Sequence, residues 1–302
     1  MLIRIIILTA VIITYSCQRK IAPNEDLRYL ITPNGMQLKF NLYCDQSEIS
    51  NIDWREYMYW LINNYGISSD EYLSALPDST VWLKEHPALH YLEDSYLRNR
   101  AYDDYPVVGI TQKQAEDYSE WRSMIVFKMI LVSEGFLDRQ VIYEKPTHFS
   151  IEGYFKGTCR WIKGEKKAKY YPVFRLPTPE ERVLIVNYSD SLNLNYFEKC
   201  NSAYCKDCLL GFPLMNSNWY DKIVKTNLPA EPVKTGCAAK KGVPLYHVRG
   251  NVSEWLSTPN TAAGGGWKHK KSAIIDQDTF VLFKPDAATG FRNIAEWVEW
   301  KN

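Results

Sequence analysis

The sequence lacks a marked excess of charge of either sign. Lys and Arg together number 36 and Asp and Glu number 35, which leaves a formal net charge of +1 on 302 residues. A chain without a net positive field has no long-range attraction for nucleic acid or for an anionic membrane surface. We therefore expect no nucleic-acid partner. The length and the 46% hydrophobic content suffice for one large domain with a substantial core.

A long apolar run is missing at the N-terminus, where residues 2–13 are apolar apart from Arg4 and Thr9. This run is too short to span a membrane comfortably and is typical of a signal-peptide h-region. Cys17 follows directly after Ser16, and a small residue before a cysteine at this place resembles the bacterial lipoprotein signal. We predict a signal peptide over 1–16, a lipidated Cys17 with a tether over 17–34, and one domain over 35–302. An ordinary cleaved signal and an uncleaved anchor are the alternatives.

Cysteine is absent from the chain after Cys237. Six cysteines remain besides Cys17, and an even number in an exported chain favours disulfides. Four of them are disulfide or zinc candidates: Cys200, Cys205, Cys208 and Cys237. A zinc site would join the single Cys-x2-Cys knuckle to the other two thiolates. A ferredoxin-like spacing is also present, although an exported chain is a poor place for such a cluster. Reactive thiols are the alternative for Cys44 and Cys159.

Local patterns predict short helices and strands separated by long loops. Alternation over residues 38–43 predicts a strand, and a second apolar strand is predicted over 105–110. Ser50 or Asn51 should cap a helix that ends near Gly66. Thr111 should cap a second helix with Gln114 in the capping box, and Thr178 a third with Pro179 at its first position. Residues 187–243 are predicted to be loop.

Six segments occur in an order and spacing that resemble the successive motifs of the formylglycine-generating enzyme (sulfatase-modifying factor) family. They are Glu48-Ile49-Ser50-Asn51 with Tyr57; Tyr105-Pro106-Val107-Val108-Gly109-Ile110 with Ala115, Tyr118 and Trp121; Arg175-Leu176-Pro177-Thr178 with Glu180 and Glu181; Leu245-Tyr246 with Gly250-Asn251-Val252-Ser253-Glu254-Trp255; Gly264-Gly265-Gly266-Trp267; and Gly290-Phe291-Arg292. The resemblance covers about residues 35–295.

The resemblance implies an α+β fold of the C-type-lectin-like kind, with much irregular loop and few short strands and helices. Inserts relative to the family would lie at 67–104 and 123–170. The motif residues would be mostly structural: Arg175, Asn251, Trp255, Trp267 and Arg292. Arg175 would form a buried ion pair or backbone contacts, and the two tryptophans would be core aromatics.

The metal ligands that the family's chemistry requires are missing from this sequence. The family's oxidases use two copper-binding cysteines shortly after the motif that ends here at Trp267, and residues 268–283 contain none. Copper is therefore not expected, and no catalytic residue is assigned. A related iron branch needs a histidine cluster, whereas this chain has five histidines and no H-x-x-x-H-x-E pattern.

A calcium site is a second implied feature. The matching ligands would be the carbonyl oxygens of Gly250 and Val252 and the carboxylate of Glu254, since hard oxygen ligands suit calcium. His247 stands where the family usually has an oxygen ligand, which would weaken the site. Hydrogen bonds from backbone amides of the turn to Glu254 are the alternative.

The Trp121-Arg122-Ser123 segment and the insert after it are similar to gliding-motility and secretion-system lipoproteins. The resulting expectation is a non-catalytic, lipid-anchored protein of the bacterial envelope, at the outer membrane on its periplasmic or surface face. It would bind the membrane through its lipid and assemble with envelope proteins. Two alternatives remain: a formylglycine-generating or other metal-dependent oxidase with ligands relocated to the 200–237 loop, and a lectin-like sugar binder that uses exposed Trp and Tyr.

Overall fold

The structure is a computed structural model that describes residues 24–142, 149–197, 230, 233, 245–269 and 279–301. The predicted signal peptide, Cys17 and the four cysteines between 200 and 237 lie outside the described residues. What is described is a mixed fold with several helices and two small sheets, in agreement with the α+β expectation. No helix of the described ranges is both long and apolar enough to cross a membrane.

The described helices and strands are short, apart from three helices. The helices are α1 (Asn51–Tyr65), α2 (Asp70–Ser74), α3 (Val81–Glu85), α4 (Leu92–Ser95), α5 (Gln112–Ser133), α6 (Ile151–Lys156) and α7 (Pro179–Phe197), with 3-10 turns at Pro87–Leu89, Arg100–Tyr102 and Arg139–Ile142. The strands are β1 (Gly35–Lys39), β2 (Leu42–Asp45), β3 (Tyr170–Arg175), β4 (Ser253–Trp255), β5 (Thr261–Ala263), β6 (Thr279–Val281), β7 (Thr289–Gly290) and β8 (Ile294–Glu299).

The first sheet joins distant parts of the chain in the order β1-β2-β8-β3, with every pair antiparallel. The second sheet has the order β6-β5-β4-β7, and its β4–β7 pair is parallel. Ser253 opposes Thr289 in that parallel pair. The motif strand β4 therefore lies beside the strand that begins the terminal Gly-Phe-Arg segment.

The three helix starts follow the sequence predictions because each is fixed by local hydrogen bonds. Ser50 caps α1 in a full capping box with Asp53, and Thr111 caps α5 in the same way with Gln114. At the start of α7, the Thr178 amide donates to Glu181 and the Glu181 amide donates to the Thr178 hydroxyl at 3.2 Å. An N-cap of this kind contributes about 1 kcal/mol.

Three local predictions differ from the structure. Residues 38–43 are not one strand but span the end of β1, a turn at residues 40–41 in which Asn41 has φ 61°, and the start of β2. Residues 105–110 are not a strand: Pro106 makes an isolated bridge to Ser50, and the Gly109 amide donates to the carbonyl of Asp286. These backbone groups are satisfied by separate loops, so no ladder forms.

The third difference is the helix α7, which continues to Phe197 where loop was predicted. Its apolar side chains at helical spacing, Ile185, Tyr188 and Leu192, belong to the cluster that also contains Leu42 and Ile294. Burial against the first sheet thus extends the helix through a segment rich in Asn and Ser.

The described residues of both predicted inserts pack against the core. Residues 67–104 contain α2 to α4, and the Trp82 ring stacks on Trp267 with a centroid distance of 6.4 Å. Residues 123–170 extend α5 and add α6, around a cluster in which Phe127 and Phe155 stack at 5.7 Å. The described parts of these segments are therefore packed within the domain.

Candidate functional site

The Gly-Asn turn that opens the 250–255 motif is held by two consecutive residues of positive φ, Gly250 at 80° and Asn251 at 57°. Glycine and asparagine are the residues that adopt this conformation at least cost. The Asn251 carbonyl accepts the Trp267 amide at 2.7 Å, which joins the turn to the next motif. The turn directs β4, and with it Glu254, into the interior.

Glu254 is the centre of a buried ion cluster. Its Oε1 accepts a hydrogen bond from Nε of Arg292 at 2.7 Å and forms an ion pair with Nη2 at 2.6 Å, and its Oε2 lies 3.6 Å from Nη1 of Arg182. All three side chains are at most 1% exposed. Burial disfavours the charged guanidinium, but the carboxylate outweighs it and holds the pKa of Arg292 above its ordinary value.

Arg292 also connects loops that are far apart in the sequence. Its Nη2 donates to the carbonyls of Tyr246 at 2.8 Å and His247 at 3.2 Å, and its Nη1 donates to the carbonyl of Asp45 at 3.2 Å. His247 has φ 46°, and its backbone carbonyl faces the cluster. One guanidinium fastens the 245–247 loop to the end of β2.

A second carboxylate, Glu48, lies beside this cluster. The Asn251 amide donates to its Oε1 at 3.1 Å, while its Oε2 has no hydrogen-bond partner among the described residues. Burial raises the pKa of Glu48 to about 8, which the charge of Arg292 opposes and that of Glu254 reinforces. Glu48 is therefore largely protonated at neutral pH.

The residues of the implied calcium site are thus placed close together, but Glu254 is already engaged by guanidinium groups. The Gly250 amide donates to the carbonyl of Gly264 at 3.0 Å, and Val252 is packed in an apolar cluster. Across the described ranges, no group of three or more His, Cys, Asp or Glu side chains is close enough to hold a metal ion. Calcium binding at Gly250, Val252 and Glu254 stays a prediction.

A further buried ion pair joins Arg122 to Asp45, a residue that no sequence motif had identified. Arg122 forms a bidentate pair with Asp45, at 2.6 Å and 2.8 Å, and its guanidinium lies over the ring of Phe174 at 4.2 Å. Asn293 completes the network through its amide to Asp45 and its side chain to Ser119. Asp45 carries no local signal of this role, since its partners lie 77 and 248 positions away.

Of the two arginines predicted to be structural, Arg175 lies nearer to the surface than Arg292. It forms a bidentate pair with Glu181, at 2.6 Å and 2.7 Å, and a 3.1 Å contact with Glu296. Its side chain is 31% exposed, so the pair is half-buried. Both members come from one motif, and the pair fixes β3 to the start of α7.

The two described cysteines, Cys44 and Cys159, are free and buried. Burial raises the pKa of the Cys44 thiol to about 12. A thiol that stays protonated is a poor nucleophile and a poor metal ligand. The four disulfide or zinc candidates, Cys200, Cys205, Cys208 and Cys237, lie outside the described residues, so a disulfide or zinc site there stays a prediction.

An open groove lies between α1 and α5, apart from the buried clusters, and encloses about 590 Å³. Its apolar and aromatic lining includes Ile49, Ile52, Tyr118, Trp121, Ile125 and Val126, and its charged lining residues are Asp53, Glu56, Asp104 and Arg122. Asp104 ends the first predicted insert, and Ile125 lies near the start of the second. The groove is therefore located where both inserts leave the scaffold.

Comparisons with known proteins do not assign the chain to a family. No family model and no curated protein matches the chain. One solved structure, titled "Crystal Structure of CarF", is similar over 84% of this chain and 86% of its own, with 14% sequence identity and a TM-score of 0.39. Similarity at that level defines neither a shared fold nor a function.

Proposed function

We propose that this chain is a non-catalytic binding protein with a sulfatase-modifying-factor type of fold. In this proposal a lipidated Cys17 holds it at a bacterial envelope, where it assembles with another envelope protein. The segments that resemble the family motifs would form the scaffold, and the surfaces at the two inserts would contact the partner.

Direct contacts between the motif segments support the fold part of the proposal. Asn251 bonds to Glu48 of the first motif, and Arg292 of the last motif pairs with Glu254. The Trp255 indole donates to the carbonyl of Ile110 at 3.0 Å. Segments that the resemblance alone grouped together thus meet around residues 250–255.

The burial of the central charged residues supports the non-catalytic part of the proposal. Glu254, Arg182 and Arg292 are at most 1% exposed and are paired with one another, so they are placed to stabilise the scaffold and not to meet a substrate. Carboxylates that lack an ion-pair partner among the described residues, Glu56 and Asp104, instead line the open groove beside the inserts. Segments added to a fixed scaffold commonly carry binding functions.

Crosslinking in intact envelopes with a lysine-reactive reagent, read by mass spectrometry, tests the proposal. We expect crosslinks from the inserts, for example from the exposed Lys84 and Lys163, to one recurring second protein. A Cys17→Ala chain should lose the lipid mass and leave the membrane fraction. Links confined to this chain and its own copies would remove the assembly proposal.

The enzyme alternative has its own measurement. The purified full chain is incubated with copper and a cysteine-containing peptide, and the product is tested for an aldehyde by reaction with a hydrazide. We expect no aldehyde above the level of a heat-denatured sample. Aldehyde formation that depends on the native chain would contradict the non-catalytic assignment.

A further inference from the structure

The groove between α1 and α5 is lined by three carboxylates, Asp53, Glu56 and Asp104. Asp53 is occupied in part, because both the amide and the hydroxyl of Ser50 donate to its carboxylate. Glu56 and Asp104 are exposed and have no ion-pair partner within the described ranges. Arg122, the basic residue of this lining, is bound in bidentate fashion to Asp45 and so is already neutralised. The groove therefore has a net negative charge.

The wall of the groove offers apolar contact beside this charge. Ile52, on α1, is 41% exposed, and Ile125 and Val126 of α5 are half-buried on the opposite side. Exposed apolar surface next to unpartnered carboxylates matches a Lys or Arg side chain, whose aliphatic stem packs on apolar surface while its head meets a carboxylate.

Sugar binding fits the same groove less well. The Trp121 ring packs against Tyr57 and Tyr118 at centroid distances of 5.2 Å and 5.3 Å. These contacts use the ring within an aromatic cluster of the core. A neutral sugar would also leave the carboxylates of Glu56 and Asp104 without a counter-charge.

We propose that this groove binds a cationic, partly apolar segment of a partner protein, with a Lys or Arg side chain seated among Asp53, Glu56 and Asp104. The inference rests on the proposed binding function and names the surface and the chemistry of the partner. It goes beyond the inserts themselves, because Ile52, Asp53 and Glu56 belong to the scaffold helix α1.

The test uses the full chain in nonionic detergent and a fluorescein-labelled peptide of alternating Leu and Lys, read by fluorescence anisotropy. An alternating Leu and Glu peptide is the matched control ligand. We expect the Lys peptide to bind, the Glu peptide to fail, and binding to weaken as salt rises, because salt screens the charge contacts. Equal binding of the two peptides, or no binding of either, would overturn the proposal.

Variants locate the binding surface. Glu56→Gln and Asp104→Asn should each weaken binding of the Lys peptide about two- to fivefold, and together by about tenfold, as expected for exposed charge pairs. Glu71→Gln removes an exposed carboxylate of α2 away from the groove and should change nothing. Ile52→Arg should abolish binding while circular dichroism stays that of the native chain.

The remaining outcomes separate this inference from the proposed function. Unchanged affinity in the Glu56→Gln/Asp104→Asn chain, or displacement of the peptide by a neutral oligosaccharide such as maltohexaose, would refute a cation-binding groove. If that double variant still gives the same envelope crosslinks, the proposed function stands and the groove is not the docking surface. Loss of peptide binding together with loss of the envelope crosslinks in the double variant would support both the cation-binding groove and the proposed function.

Discussion

Replacing the buried carboxylate of Glu48 by an amide should make the protein more stable at alkaline pH. Glu48 is 1% exposed and accepts one hydrogen bond from Asn251, and its pKa is raised to about 8. A glutamine keeps the acceptor oxygen for Asn251 and carries no charge. The Glu48→Gln chain should therefore resemble the protonated form of the native protein at every pH.

The sign and size of this stability difference follow from proton linkage. The folded chain holds a proton on Glu48 up to about pH 8, whereas the unfolded chain releases it near the ordinary value of 4.5. The unfolded state thus binds fewer protons between these values, so the free energy of unfolding falls as pH rises through this range. The loss approaches ~1.4 kcal/mol per pH unit and at most about 5 kcal/mol in total. Arg292 and Glu254 are the charged groups that face Glu48.

Urea unfolding of both chains between about pH 5 and about pH 9 measures this difference. We expect the two free energies of unfolding to converge at the acidic end and the glutamine chain to be several kcal/mol more stable at the alkaline end. Glu120→Gln, which removes an exposed carboxylate of α5, is the matched control and should show no such trend. A native chain that gains stability over the glutamine chain as pH rises would mean that Glu48 is ionised in the fold, and the reasoning would be refuted.

Two further predictions concern the same interior. Arg292→Met should lower the free energy of unfolding by about 3–5 kcal/mol, because it removes the closer of the two guanidinium groups that neutralise the buried Glu254, and adding Glu254→Gln should recover part of that loss in the same urea assay. Cys44 and Cys159 should resist iodoacetamide in the native chain and react only in denaturant, as read from their peptides by mass spectrometry. Rapid native labelling of Cys44 would contradict its burial and its raised pKa.

The parts of the fold that were predictable from the sequence are those with local causes. Ser50 with Asp53 and Thr111 with Gln114 close hydrogen bonds within one helical turn, so residue type and spacing are enough to place α1 and α5. The loop predicted after residue 187 was wrong for the rest of α7. Its apolar side chains at helical spacing are separated by Asn and Ser, and tertiary packing outweighs those weak propensities.

The buried clusters could not be worked out from local patterns. Glu254 and Arg292 were each noted within motifs, yet their pairing joins residues 38 positions apart. Arg182 follows the capping glutamate of α7 and has no feature that distinguishes it from a surface arginine. The groove between α1 and α5 was also not foreseen, because its lining residues come from separate parts of the chain and are adjacent only in the folded structure.

The position of β8 at the centre of the first sheet has a consequence for how the chain folds. β8 pairs with β2 on one side and β3 on the other, and the Asn293 amide donates to Asp45 from 248 positions away. A nucleus that includes this sheet must close a very long loop before its contacts stabilise it, which slows folding. We expect β2 to stay without its β8 partner until the chain has been synthesised past residue 299, so the sheet cannot be completed before then.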